Sequence, residues 1–221
     1  MSLIISVEGN IGSGKSSFVK YFEKYIKENT CGNDFKFIQE PVDEWNNIQD
    51  STGESILEKF YANQEEYAFS FQIMAYITRL RKLIHTIETS PDSIYICERS
   101  LETDKYVFAK MLYDSGKIRE IDWVIYNYWF NTFSDKIKTN LVVYINTDPV
   151  ICYERIKSRG RAGEESIPLE YLENCHKYHE EWLENKTDII TLNGNVNFKE
   201  NIDSYNNVLE STFNNLETYW K

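Results

Sequence analysis

Along the chain, short apolar runs alternate with longer stretches in which apolar residues recur every three to four positions. The strand-like runs are Leu3–Glu8, Phe35–Gln39, Ile94–Glu98, Leu141–Asn146 and Ile189–Leu192. Each is brief, rich in β-branched or aromatic residues, and followed by polar or turn residues. Helical periodicity fills the intervals: Ser16–Lys27, Gln64–Glu88, Thr103–Tyr113, Glu120–Asp135, Pro149–Ser158, Pro168–Glu184 and Lys199–Tyr219. Pro149 and Pro168 stand where a first helical turn tolerates proline, because the missing N–H has no intrahelical partner there. Five strands separated by helices predict an α/β fold with a five-stranded parallel sheet covered on both faces. No linker, repeat or low-complexity segment interrupts the alternation, so residues 1–221 read as a single domain.

Composition narrows the partners. The 221 residues carry a formal net charge of −11, which repels a polyanion over most of the surface and argues against nucleic acid as a partner. A small nucleotide in a locally basic pocket remains compatible with that charge. The four cysteines, Cys31, Cys97, Cys152 and Cys175, are widely spaced and form no C-x-x-C, so they read as reduced thiols of a cytoplasmic protein. No run of apolar residues is long enough to span a membrane. The first strand begins at about residue 3, which leaves no room for a targeting peptide. Cys175, His176 and His179 lie within a turn and a half of helix, a spacing that invites a metal reading, but Leu172, Cys175, His179, Trp182 and Leu183 follow the spacing of a buried helix face. A core helix is the expectation there.

The chemistry begins at Gly9-Asn10-Ile11-Gly12-Ser13-Gly14-Lys15-Ser16, which matches G-x-x-x-x-G-K-[ST] at every defined position. The match sits between a strand and a helix, as such a phosphate loop requires. Its glycines let successive backbone N–H groups point inward around a phosphate, and the helix N-terminus adds partial positive charge. Lys15 is expected to reach the β- and γ-phosphates and the Ser16 hydroxyl to ligate Mg²⁺. The chain is therefore expected to bind a nucleoside triphosphate.

Ligands of parallel α/β sheets collect at the C-terminal strand ends. Glu40 follows the second strand, where Pro41 ends the run, and Glu98-Arg99 closes the third. A carboxylate at a strand end suits a base beside an attacking hydroxyl, and an acid after the third strand suits magnesium. Arg155, Arg159 and Arg161 converge on a glycine-containing segment after a helix, as in an arginine-rich lid over roughly residues 159–167 that clamps phosphate charge.

Together these residues resemble a known family. After G-N-I-G-S-G-K-S come E-P-V-x-x-W, F-x-F-Q, E-R-S-x-x-x-D-x-Y-x-F-A and R-x-x-x-R-G-R-x-x-E-x-x-[IV]-P-L-E-Y-L. In that order they are similar to the deoxyribonucleoside kinases, the branch with deoxycytidine, deoxyguanosine and mitochondrial thymidine kinases and the insect multisubstrate enzyme. The resemblance runs from the first strand to at least Trp182 and implies a P-loop kinase fold with ATP and Mg²⁺. It implies that Glu40 takes the proton of a 5′-hydroxyl, with Arg99 beside that hydroxyl and Glu98 near the magnesium. It places Tyr61 and Glu164 at the 3′-hydroxyl, Gln72 on the base edge, and Phe71 and Phe108 on the two faces of the base. Val42, Trp45 and Leu57 would line the cleft.

Counting without gaps from Gln72 and Arg99, Arg79 and Asp104 fall where the deoxycytidine and purine branch carries an Arg–Asp pair. The expected substrates are thus deoxycytidine and purine deoxynucleosides ahead of thymidine, with a peripheral salt bridge as the alternative reading of the pair. A thymidine or broad-specificity kinase, a thymidylate-type monophosphate kinase and an inactive nucleotide sensor are the competing functions. A monophosphate kinase needs a cation near the second strand's end, where this chain has Glu40. Gly163 stands where the family often has another acid. The helix around Trp123–Phe130 is apolar almost all round, which implies burial on more than one side. By family resemblance that means a homodimer; an intrachain core is the alternative.

Overall fold

The structure, a computed structural model, describes residues 3–30, 34–134, 137–161, 163–196, 202–217 and 219. Its strands are β1 (Leu3–Glu8), β2 (Phe35–Ile38), β3 (Ile94–Glu98), β4 (Leu141–Asn146) and β5 (Ile189–Asn193). They form one parallel sheet in the order β2-β3-β1-β4-β5. Val7 lies opposite both Glu98 and Val143, so the loops after β1 and β3 leave the sheet side by side at one edge. The helices are α1 (Lys15–Asn29), α2 (Val42–Asn47), α3 (Ile56–Ala62), α4 (Gln64–Thr89), α5 (Leu101–Thr103), α6 (Lys110–Asp114), α7 (Glu120–Ser134), α8 (Pro149–Arg159), α9 (Leu169–Leu183) and α10 (Ile202–Glu217). The predicted helix ends at Asp135 and at Lys199, like Cys31 and Ala162, lie outside the described residues.

Both sheet faces are covered, as the apolar strand runs require. Ile5, Val7 and Val143 pack on Phe18, Phe22 and Ile26 of α1 and on Leu209 and Leu216 of α10. Ile4, Tyr95 and Cys97 face Leu83 of α4 on the opposite side, and Val142 and Tyr144 face Leu183 of α9. A second core, away from the sheet, gathers Phe60, Phe71, Tyr76, Tyr126 and Phe130 from α3, α4 and α7.

Three local features differ from the reading of the sequence. Helices α2 and α3 were not expected, although Ser55 and Glu58 form a capping box: Glu58 N–H donates to Ser55 Oγ at 3.2 Å and Ser55 N–H to Glu58 Oε2 at 2.9 Å. The single helix expected over Thr103–Tyr113 is composite, with a π-helical segment at Asp104–Ala109 between α5 and α6. There the Lys110 N–H donates to Lys105 O, five residues back. Pro168 serves as the N-cap of α9 rather than within its first turn.

The helix bearing Cys175 and His179 is a core helix, as expected. Both residues are fully buried, and His179 Nδ1 lies 2.7 Å from the Cys175 carbonyl. Burial, then the positive charge of Arg99, pushes the His179 imidazole well below its ordinary range, so it is neutral and packs between Phe108 and Tyr144. Among the described residues no group of three or more His, Cys, Asp or Glu side chains is arranged to hold a metal. No helix among them is long and apolar enough to cross a membrane.

Helix α7 is covered on one face only within the chain, against the alternative of an intrachain core. It buries only the stripe Asp122, Tyr126 and Phe130, while Ile121, Val124, Ile125, Tyr128 and Trp129 remain exposed.

Candidate active site

The phosphate loop wraps the end of β1 and opens α1. Gly12 has φ 79°, and a Cβ there would lie 2.5 Å from the Cys152 carbonyl oxygen, so only glycine fits the turn. Asn10 turns inward: its Nδ2 donates to Leu172 O at 2.8 Å, and its Oδ1 accepts from Ile11 N–H at 2.9 Å. Its side chain thus anchors the loop to α9 and leaves the backbone to face a ligand. The Ser13 carbonyl accepts from Thr147 Oγ1 at 3.1 Å and from Arg155 Nη1 at 3.3 Å. Lys15 folds back on the loop, with Nζ 3.1 Å from Gly9 O and 2.7 Å from Asn10 O. Burial, then Arg99, lowers its ammonium to about 8, against the opposing pull of Glu40 and Glu98. A lysine held this way gains most from a polyanion.

Beside the loop, four charged side chains form one buried network. Arg79 Nε donates to Asp104 Oδ2 at 2.9 Å, and its Nη2 donates to Asp104 Oδ1 at 3.2 Å and to Glu40 Oε1 at 2.9 Å. Its Nη1 donates to Glu98 O at 3.0 Å. Arg99 Nε lies 3.2 Å from the same Glu40 oxygen, and its Nη1 donates to Gly9 O at 2.9 Å. Arg99 has φ 66°, a conformation uncommon for any residue but glycine, and its side chain reaches from the strand end back to the phosphate loop. Burial alone would raise the Glu40 carboxyl, but Arg99, Arg79 and Lys15 outweigh it and hold it at about 2. Glu40 is therefore a carboxylate at every physiological pH. The peripheral reading of Arg79–Asp104 fails, since both are at most 5% exposed.

These residues open onto a cavity of about 1020 Å³ that runs from the phosphate loop to α3 and α4. Ile11, Gly12, Gly14, Lys15 and Ser16 line one end, and Val42, Trp45, Leu57, Tyr61, Phe71 and Gln72 the other. Glu40, Arg79, Glu98, Arg99, Asp104 and Phe108 lie between, and Arg155, Arg159, Arg161 and Glu164 cover it. The π-helical turn brings Asp104 and Phe108 inward on one face, where functional side chains often use such an irregularity. Phe71 stacks on Phe60 with centroids 4.4 Å apart, and the Arg99 guanidinium lies 4.7 Å over the Phe108 ring. Each ring so keeps one face to offer. Gln72 Oε1 is buried without a hydrogen-bond partner, a deficit of about 1–3 kcal/mol that a ligand donor would remove. The Tyr61 phenol is pushed up by burial and then by Glu164.

The three arginines do not act alike. Arg159 Nη2 and Arg161 Nη1 both grip Glu164, the latter at 3.1 Å. Arg155 instead donates to main-chain carbonyls, Gly194 O at 2.9 Å and Val196 O at 3.3 Å besides Ser13 O, and so ties the phosphate loop to the segment after β5.

The model of one family, deoxynucleoside kinase, matches residues 5–217. The chain belongs to the deoxynucleoside kinase family. It is similar to deoxycytidine kinase 2 of Gallus gallus, 37% identical over 203 residues, covering 83% of this chain and 74% of the relative. The deoxycytidine kinase of Homo sapiens is 32% identical over 245 aligned positions, covering 97% and 91%. Mitochondrial thymidine kinase 2 of Homo sapiens is 36% identical over 182 residues, covering 81% and 64%. The chain is accordingly an ATP-dependent deoxynucleoside kinase, and identity by itself does not separate cytidine from thymidine relatives.

In this kinase Ser16 and Glu98, both read as magnesium ligands, are adjacent: Ser16 Oγ donates to Glu98 Oε1 at 2.6 Å. A hydroxyl and a carboxylate at the lip of a phosphate loop fit Mg²⁺, which takes few protein oxygens and keeps waters and phosphates. Sequence reasoning missed Phe60, Thr147 and the Gly194–Val196 segment. Only Phe60 left a usable signal, since it lies on the helix that the capping box announces.

Proposed function

We propose that this deoxynucleoside kinase transfers the γ-phosphoryl of ATP to the 5′-hydroxyl of deoxycytidine and purine deoxynucleosides in preference to thymidine. The observation that carries the base preference is the buried Arg79–Asp104 pair at 2.9 Å, lining the cavity together with Gln72. A pair this buried presents polar groups to an exocyclic amino group and leaves little apolar room for a thymine 5-methyl.

In this reading Gln72 and the Arg79–Asp104 pair meet the base edge, Phe71 and Phe108 its faces, and Tyr61 and Glu164 the 3′-hydroxyl. Val42, Trp45 and Leu57 shape the cleft. Glu40 accepts the 5′-hydroxyl hydrogen bond and finally its proton. Phosphoryl transfer is largely dissociative, so that proton leaves late, and an ionised, weakly basic carboxylate suffices. Arg99 steadies Glu40 and the hydroxyl. Backbone N–H groups of residues 9–14 and Lys15 hold the donor phosphates, with Arg159 and Arg161 adding charge during transfer. Mg²⁺ held by Ser16 and Glu98 would neutralise charge on the β- and γ-oxygens.

The exposed apolar face of α7 supports a homodimer, and the buried unpaired thiols Cys97, Cys152 and Cys175 support a reducing, cytoplasmic setting. We read residues 1–221 as one kinase domain. The likeness to mitochondrial thymidine kinase 2 keeps a thymidine or broad-specificity enzyme as the second reading. An assay of γ-labelled ATP against the four deoxynucleosides and dTMP separates them. Label on deoxycytidine and a purine deoxynucleoside is expected; label chiefly on thymidine sinks the base preference, and label on dTMP alone sinks the nucleoside reading.

A further inference from the structure

Glu164 stands where the acceptor end of the cavity meets the arginines that cover it. Its carboxylate is buried, with Arg159 on Oε2 and Arg161 Nη1 3.1 Å from Oε1, whereas the two arginine side chains are 33% and 36% exposed. The backbone sets the position of this carboxylate. Glu164 N–H donates to Arg161 O and Ile167 N–H to Glu164 O, both at 3.1 Å. Gly163, at φ 83°, packs so closely on α3 that a Cβ would lie 3.3 Å from Glu58 Cγ. The acid is thus fixed, and the long arginine side chains are the parts with room to change partner.

An arginine that turns from Glu164 to a phosphoryl group leaves a buried carboxylate short of a partner, and that loss opposes the turn. A hydroxyl donor arriving at the same carboxylate replaces the lost hydrogen bond and weakens the opposition. We propose that Glu164 is a positioning residue that couples an acceptor's 3′-hydroxyl to the release of Arg159 and Arg161 toward the donor phosphates. The inference rests on the reading of this cavity end as the deoxynucleoside site. It makes the 3′-hydroxyl a reporter of acceptor occupancy as well as a handle for binding: the donor is fully gripped only when a complete sugar is seated.

Because coupling between sites is reciprocal, it is measurable without turnover. The Kd of a non-hydrolysable ATP analogue with Mg²⁺ is titrated calorimetrically on the full chain. It is measured alone, with saturating deoxycytidine, and with saturating 2′,3′-dideoxycytidine whose binding is verified in the same instrument. Deoxycytidine is expected to tighten the analogue by about fivefold or more, the lower end of ordinary site–site coupling. Dideoxycytidine should leave it within about twofold, inside that same floor. Glu164→Gln and Arg161→Ala, each checked by its thermal melt, should erase most of the difference. Equal effects of the two nucleosides on the wild-type protein overturn the coupling, whatever the variants do. An undiminished difference in Arg161→Ala overturns the route through the arginines. Failure of deoxycytidine itself to bind overturns the acceptor reading instead.

Discussion

Arg79 Nη2 lies 2.9 Å from Glu40 Oε1 while the same guanidinium holds Asp104 at 2.9 Å, so the acid read as catalytic base and the acid read as specificity determinant share one cation. Base recognition and phosphoryl acceptance are therefore not separable modules in this site. A change made to alter the base pocket also changes what surrounds Glu40.

The double substitution Arg79→Met, Asp104→Ala is expected to shift preference toward thymidine, because it opens apolar room for the 5-methyl without stranding either ion. One methyl in an apolar pocket is worth about 1–3 kcal/mol, so the kcat/KM ratio of thymidine to deoxycytidine should rise between about 10- and 200-fold. Loss of the Arg79–Glu40 contact should lower kcat for every nucleoside. Arg79→Met alone should be worse than the double, since it strands Asp104, and an unpaired ion this buried costs roughly 3–5 kcal/mol, whereas Asp104→Ala leaves Arg79 paired with Glu40. A wild-type enzyme that already favours thymidine, or a ratio unmoved by the double change, would remove the pair from base recognition.

Glu40→Gln keeps the shape of the side chain and its capacity to accept from Arg99 while removing the proton acceptor. We expect kcat to fall by about 10²-fold or more, within the usual 10²–10⁴ range of general-base catalysis, with nucleoside affinity changed only several-fold. Single-turnover kinetics beside nucleoside titration reads both numbers. Near-normal turnover would take Glu40 out of the chemistry.

Lys15 supplies a pH test. Its ammonium is lowered to about 8 by burial and Arg99, so the ligand-free protein loses that proton above this pH. Bound phosphates favour the charged form and raise its pKa in the complex. Between the two values ATP binding takes up a proton, and affinity should fall by up to about tenfold per pH unit as pH rises. Calorimetry near pH 9 in two buffers of different ionisation enthalpy detects the uptake; heats independent of buffer would place Lys15 away from the phosphates.

Much of this site was legible before any coordinates. The strands of a parallel sheet are buried on both faces and read as unbroken apolar runs, and Gly9, Gly12 and Gly14 mark a loop whose backbone N–H groups can turn inward around a phosphate. What escaped had weaker local signals. Helices α2 and α3 are too short for apolar periodicity to register, although Ser55 and Glu58 announced the second. The π-helical turn at Asp104–Ala109 adds no residue type of its own, so periodicity reads it as plain helix. Thr147 and the Gly194–Val196 segment matter because the sheet order β1-β4-β5 sets them beside the phosphate loop, a long-range adjacency without local pattern. The shared use of Arg79 by Glu40 and Asp104 likewise arises only from tertiary placement.

The arginines over the cavity should separate by effect. Arg159→Ala and Arg161→Ala are expected to lower kcat more than they raise the nucleoside KM, because their charge is needed mainly as the phosphoryl group transfers. Arg155→Ala should chiefly raise the KM for ATP, since its contacts with Ser13, Gly194 and Val196 carbonyls hold the donor end together. Steady-state kinetics varying each substrate in turn distinguishes them. Equal losses in all three variants would show that Arg155 works at the phosphates too.

Helix α7 provides the last test, on assembly. Its stripe Asp122, Tyr126 and Phe130 is buried within the chain, which leaves Val124 and Tyr128, 57% and 75% exposed, beside Ile121, Ile125 and Trp129 on the outer face. A monomer seldom leaves so contiguous an apolar face in water, and a second copy of the same face would cover it around a two-fold axis. The wild-type protein is therefore expected to sediment at twice its 26.2 kDa chain mass. Val124→Lys with Tyr128→Lys places like charges across the two-fold axis and should yield a monomer at micromolar concentration. Both substitutions sit away from the cavity, so the monomer should keep its nucleoside binding even if its thermal stability falls. A wild-type chain that sediments as a monomer, or a double variant that stays dimeric, would show that α7 is not the contact.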